Sequence, residues 1–278
     1  MFIEKKTYSK MKRKLFTLLS ILSICYYASG QTVNIPDSSF KAALVSISAI
    51  NTNNDSEIQT AEALAFTGQI AIVSSKIKDA TGIEAFKNIT KLNLYNNLLD
   101  SIDLSKNTKL TLLALNQNKL QKLDLSNNPN IVTVHLDKNS PLDTLNFTGV
   151  VDLEEIFMDY SYVKYIDVTQ NAKLKRIDIR FSNLKTIDLS GCPNLEFLKL
   201  DRCNVKSLDL SKNTKLTRVE IAGNSFSSPL LLDKNIALEH LDAHYARIEE
   251  LDVSKNVNLT YFEYLEKLDD KLQYGKWK

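Results

Sequence analysis

The sequence predicts a repeat solenoid of the α/β type, with short strands stacked coil on coil, a helical N-terminal cap and short irregular limbs between strands. Three observations predict it. The frame L-x-L-x-x-N-x-L-x-x-L-D-L-S-x-N-x-x-L can be read eight times between Lys91 and Thr260. Its period is 21 residues, stretched twice to 22. A unit this short cannot enclose its own leucines, so neighbouring units must stack, and at least three are needed for a continuous core. The chain then divides into residues 1–30, an export signal; 31–90, a cap with a first atypical repeat; 91–260, eight repeats; and 261–278, a C-terminal cap.

Met11 opens a compact signal. Lys12-Arg13-Lys14 is the basic region, Leu15 to Cys25 the apolar stretch, and Ala28-Ser29-Gly30 supplies small residues before Gln31. The stretch is too short to span a bilayer. Leu22-Ser23-Ile24-Cys25 resembles a lipoprotein cleavage box, except that Ile24 stands where a small residue is expected. Cleavage after Gly30 is therefore favoured, with residues 1–10 preceding a signal already complete from Met11. The mature chain is expected outside the cell or on its surface, without a transmembrane span. The full chain has 35 basic and 33 acidic residues. Residues 1–30 hold six of the former and one of the latter, so the rest has 29 and 32 and a formal net charge of −3. The basic balance belongs to the signal, and nothing global points to nucleic acid.

In the cap, Pro36-Asp37-Ser38 predicts a helix start, with Phe40, Ala43 and Leu44 on one face. Next comes a loop with Asn51, Asn53, Asp55, Glu57 and Glu62 at alternating and terminal positions. That spacing resembles an EF-hand calcium loop, which implies weak Ca2+ binding as a cofactor. Asn51 replaces the usual Asp and Ser56 the usual Gly. The bland alternative is a helix-loop-helix cap whose polar side chains bond their own backbone.

Within the repeats, the strand columns Leu92/Leu94, Leu113/Leu115, Val134/Leu136 and their successors lie two residues apart, hence on one face. The column Asn97, Asn118, Asn139, Ser161, Ser182, Cys203, Asn224, Ala246 follows each strand. A buried amide there satisfies backbone groups left unpaired where the chain turns inward. Ala246 lacks that capacity, so the column should weaken at its C-terminal end. The Asp of each Leu-Asp-Leu-Ser limb recurs too regularly for a dedicated metal stripe, and Asn146 and Leu231 interrupt it in the two 22-residue units. Cys192 and Cys203 fall on different sides of the coil, which predicts two buried thiols rather than a bridge. At the far end, Leu265, Leu268 and Leu272 recur at helical spacing and suggest a short closing helix or an irregular cap. Only 14 residues follow Tyr264, too few for a sorting domain.

From Ile89, the residues Leu92, Leu94, Asn97 and Leu99 match L-x-x-L-x-L-x-x-N-x-L. The chain thus resembles leucine-rich repeat proteins, above all the short bacterial type of internalin-like surface proteins and secreted proteins of Bacteroidetes. The resemblance covers about residues 34 to 264. It implies a horseshoe or arc with a parallel β-sheet on the concave side, and it names no ligand.

Side chains alternating with the strand leucines face that concave surface, where no aliphatic pattern is enforced. Its middle combines Phe157, Tyr160, Phe181 and Phe197 with Arg176, Arg180, Lys199, Arg202 and Arg218. Aromatics and arginines are the types that anchor protein interfaces. Opposite charges on successive strands also predict ion pairs, which would make part of this set sheet decoration. His240 and His244 share a strand and can contact one ligand together. His135 lies five repeats away, about 24 Å at the usual strand spacing, and cannot complete a metal triad with them. No nucleophile with an adjacent base, phosphate loop or zinc-protease helix occurs. The expected function is non-enzymatic binding of a protein ligand, with a glycan second. The rivals are a structural or adhesive envelope component and, far behind, an enzyme.

Overall fold

The computed structural model describes residues 30–248, 250–268 and 271–274, the last two strands by backbone alone. The expected export signal lies outside the described residues except for Gly30.

Ten three-residue strands stack in parallel: Gln69–Ala71, Lys91–Asn93, Leu112–Ala114, Thr133–His135, Glu155–Phe157, Arg176–Asp178, Phe197–Lys199, Arg218–Glu220, His240–Asp242 and Tyr261–Glu263. The register keeps every column in line, as in Leu92↔Leu113, Leu113↔Val134 and Leu198↔Val219. The middle residue of most strands is fully buried, while its two neighbours face outward. The sheet starts one coil before the frame. Ile70 stands opposite Leu92, and Ile70, Ile72 and Ile77 fill the leucine positions of the atypical first repeat. One apolar cluster runs from Val33 to Leu259. Each leucine it removes from water contributes about 1.5–3 kcal/mol.

The eight strands from Lys91–Asn93 to His240–Asp242 are each followed, three residues on, by a residue in the left-handed region. Asn96, Gln117, Lys138, Tyr160, Phe181, Arg202, Gly223 and Tyr245 all have φ between 51° and 67°. There the chain turns inward while its N–H stays in the ladder between coils, for example Tyr160 N–H to Arg180 O at 2.9 Å. The turn delivers the next residue, the Asn column, into the core. Asn118 Nδ2 donates to the carbonyls of Leu94 and Leu115, both at 3.0 Å, and its Oδ1 accepts from Leu99 N–H. Asn97, Asn139 and Asn224 repeat the arrangement, so each amide ties its own coil to the preceding one. The column weakens in the middle as well as at Ala246: Ser161 Oγ is buried without a hydrogen-bond partner. Ser182 Oγ and Cys203 Sγ contact each other at 3.2 Å.

A second amide ladder, not resolved as such by the sequence reading, runs through Asn107, Asn128, Asn171, Asn213, Asn235 and Asn256. Asn128 Nδ2, for instance, donates to Leu104 O and Asn107 O of the preceding coil. Cys192 stands in this ladder and donates to Val168 O at 3.3 Å. Both thiols are free and buried, as their frame positions predicted. Burial pushes Cys192 up to about 12 and Cys203 to about 11.

The limbs contain more order than short irregular connections. Lys122–Asp124 pairs with Thr144–Asn146, Tyr165–Asp167 with Thr186–Asp188, and Leu230–Leu231 with Leu251–Asp252, all parallel. The limb aspartates close the following turn. Asp103, Asp124, Asp167, Asp188, Asp209 and Asp252 each accept the N–H of the Ser or Thr two residues on. That bond explains their recurrence without a metal, and Asn146 makes the same one to Thr148.

The N-terminal cap contains helices Ser38–Val45 and Thr60–Ala65. Asp37 caps the first, accepting Ser39 and Phe40 N–H, and its other oxygen accepts Lys78 and Asp79 N–H, which docks the helix on the first coil. Phe40 and Leu44 are fully buried. At the C-terminal end, the suggested helix is replaced by an antiparallel pair, Leu265–Leu268 with Lys271–Tyr274. Three leucines carry too few positions to fix the period, and spacing alone did not separate a helix from a strand pair.

Candidate binding face

The structure divides the eleven predicted face residues into three groups. The first lies on the strands. Phe157 and Phe197 are half-buried because Arg176 sits over both rings, at 5.2 and 3.7 Å from their centroids. Arg218 lies 5.7 Å from the Phe197 centroid, and His135 stacks on Phe157 at 4.6 Å. The cations are paired as well as stacked. Arg176 meets Asp178 at 2.8 Å, Arg180 meets Asp159 at 2.5 Å, and Lys199 and Arg218 both contact Glu220. The expected sheet decoration is therefore present, and it absorbs much of the charge of this group. Burial pushes Asp159 and Asp201 up, against the pull of Arg180 and Lys199 respectively. Glu220 is pushed up by burial but held lower overall by Lys199 and Arg218.

The second group is a ledge along the end of the strands. Tyr160, Phe181 and Arg202 occupy consecutive left-handed positions at φ of 54°, 51° and 52°. Tyr160 and Phe181 stack at 4.8 Å between centroids, and Arg202 lies 5.4 Å from Phe181. Tyr160 is 44% exposed and Phe181 39%. Bulky residues are outliers in this region of backbone space and cost roughly 1–3 kcal/mol each. The same column holds Asn96 and Gly223 elsewhere, so the fold does not require aromatics there. Tyr245, 54% exposed in the same column, completes the set. The sequence reading missed it, although its place one frame position before Ala246 was legible.

The third group is His240 and His244. His240 stacks on Tyr261 at 4.1 Å, and burial together with Arg218 lowers its pKa. His244 Nδ1 lies 2.5 Å from Asp242 Oδ1. The two histidines thus hold different partners.

The cap loop is closed by its own groups. Glu62 accepts Thr52 N–H, Thr52 Oγ, Asn53 N–H and Gln59 N–H. Burial raises its pKa, and these bonds outweigh that to hold it below the usual carboxylate range. Asp55 accepts from Glu57 N–H, Asn53 Nδ2 and Gln59 Nε2, while Glu57 pairs with Lys41. Asn51 Nδ2 donates to Val45 O and Asp55 O, and its buried Oδ1 has no partner.

No family model and no curated protein matches this sequence. Solved structures do. Internalin C2 of Listeria monocytogenes is 19% identical over 84% of this chain and 97% of its own, with a TM-score of 0.61. A leucine-rich repeat protein of Leptospira interrogans is 18% identical over 73% of this chain and 61% of its own, at 0.57. The functional domain of internalin J from Listeria monocytogenes is 23% identical over 84% of this chain, at 0.44, and this chain spans 66% of it. The likenesses to internalin C2 and to the Leptospira protein show the class of fold: a leucine-rich repeat solenoid like theirs. Among the described residues no helix is long and apolar enough to cross a membrane.

Proposed function

We propose that this chain is an exported, non-catalytic binding protein that recognises a protein ligand through the centre of its sheet face. One observation carries the reading. The aromatic ledge of Tyr160 and Phe181 with Arg202 is exposed, is held at backbone positions that disfavour large side chains, and gives the fold nothing that Asn or Gly does not give elsewhere. Strain of that kind collects where ligands are held. Rigid aromatics beside an arginine suit a protein surface, and a glycan ranks second because it too stacks on exposed rings. The half-buried Phe157, Arg176, Phe197, Lys199, Arg180 and Arg218 form the stiff floor beside the ledge. The internalin-like fold supports an interaction role in general terms, as it supports a place outside the cell. For the cap loop we propose weak calcium binding, in the millimolar class, since an ion must displace the bonds Glu62 already makes.

The test is affinity capture from surface and culture-fluid extracts, with and without calcium. The chain is compared with a Tyr160→Ala, Phe181→Ala, Phe197→Ala variant of unchanged circular dichroism. A protein retained by the first and lost by the second supports the site. A protein retained equally by both moves the site to the opposite side, where Leu231, Ile236 and Val257 are exposed, and favours the structural or adhesive rival.

A further inference from the structure

We propose that Asp242, His244 and Glu263 form a binding site for a divalent transition-metal ion of the zinc class at the C-terminal end of the sheet face. Each offers one ligand atom, and the three atoms lie within 4.8 Å of one another. The placement follows from the sheet. Asp242 and Glu263 are register partners on adjacent parallel strands, and His244 lies two residues beyond Asp242, on the same face. A tetrahedral ion with bonds of about 2.0–2.1 Å needs its ligands about 3.4 Å apart. All three side chains remain partly exposed; Glu263 accepts the Tyr261 hydroxyl, and drawing its carboxylate to ligand spacing means a rotation that gives up or shares that bond.

A second observation is independent of these distances. In the central coils four face carboxylates have cationic partners: Asp159 has Arg180, Asp178 has Arg176, Asp201 has Lys199, and Glu220 has Lys199 and Arg218, while Asp137 and Glu155 accept from the neutral Asn116 and Thr133. At the last two strands that alternation stops. Asp242 and Glu263 lie side by side, and among the residues whose side chains are described no Lys or Arg forms an ion pair with either. Like charges opposite one another in a sheet are unfavourable, and a dication reverses that. On binding, Nδ1 must give up any proton it shares with Asp242: a neutral ring ligates as its Nε2–H tautomer with no net release, a protonated ring releases one proton to solvent, and the two atoms separate to ligand spacing. One imidazole nitrogen with two carboxylate oxygens favours a transition ion over Ca2+ or Mg2+. Three protein ligands leave the fourth position to water.

The test is isothermal titration of the full chain with Zn2+, with the visible absorption of added Co2+ as a second readout of ligation. One ion per chain is expected. Asp242→Asn, His244→Gln and Glu263→Gln should each weaken Zn2+ at least tenfold and reduce the Co2+ bands, while His135→Gln should not. All four positions are on the solvent face, and circular dichroism checks the fold. Absence of Zn2+ binding overturns the proposal. So does Zn2+ held equally by the three variants, which would place the ion elsewhere, the thiols included.

Discussion

Asn118→Ala removes a side chain that connects two coils at three points. The amide donates to two buried carbonyls and accepts one buried N–H. Alanine cannot replace any of these bonds, and the residue is only 6% exposed. A buried backbone group left without a partner costs about 1–3 kcal/mol, so three set a ceiling of about 9 kcal/mol. Water entering the vacated space recovers part of that, and we expect a loss of about 3–5 kcal/mol. Ser161→Ala is the matched control, because Ser161 Oγ bonds nothing in the same column; it should be neutral within about 0.5 kcal/mol. Asn118→Asp keeps the shape but turns an oxygen toward two carbonyls. Its folded pKa must lie above the unfolded value, so its penalty is present at neutral pH and fades as pH falls below it. Urea unfolding followed by circular dichroism measures all three. Equal midpoints for Asn118→Ala and Ser161→Ala would refute the claim that the amide column, rather than leucine packing alone, holds the coils together.

Two further outcomes follow from the limbs. The six turn-closing aspartates are held below their ordinary pKa by hydrogen bonds from Ser or Thr. Their contribution is therefore present above the unfolded value of about 3.9 and lost as pH falls through their folded values; Asp159 and Asp201, raised by burial, oppose them two against six. Thermal melting midpoints should fall steeply below about pH 4, and Asp124→Asn, which keeps the acceptor, should flatten that slope. At Gly191 an added Cβ would lie 1.9 Å from the Thr169 carbonyl oxygen. Gly191→Ala should accordingly cost about 1–3 kcal/mol or more, read by the same urea titration, whereas an unchanged midpoint would mean that the limb moves freely.

The face shows how far the sequence could be read. Its rows of side chains were legible because the period fixes which residues align, and the register agrees with the frame from Lys91 to Glu263. Their accessibility was not legible. Phe157 and Phe197 read as exposed anchors, yet Arg176 covers both, because a guanidinium reaches across to a neighbouring strand whose distance no periodicity states. Tyr160, Phe181 and Arg202 read as members of the same patch, but the left-handed turn sets them on a ledge past the strand ends. The sequence sets His244 beside His240 on one strand, whereas Glu263 comes next to Asp242 only through the sheet.

Repetition determined the solenoid, the inward columns and the buried thiols, because a 21-residue unit has one way to hide its leucines, and the capping signal at Asp37 determined the cap helix. The tertiary structure decided what repetition leaves free. It set that Ser161 bonds nothing in its column, which ring is shielded, which carboxylates meet without a cation, and that the last described residues pair as strands. Those outcomes depend on contacts between coils, where each side chain's environment is set by a residue some 21 positions away.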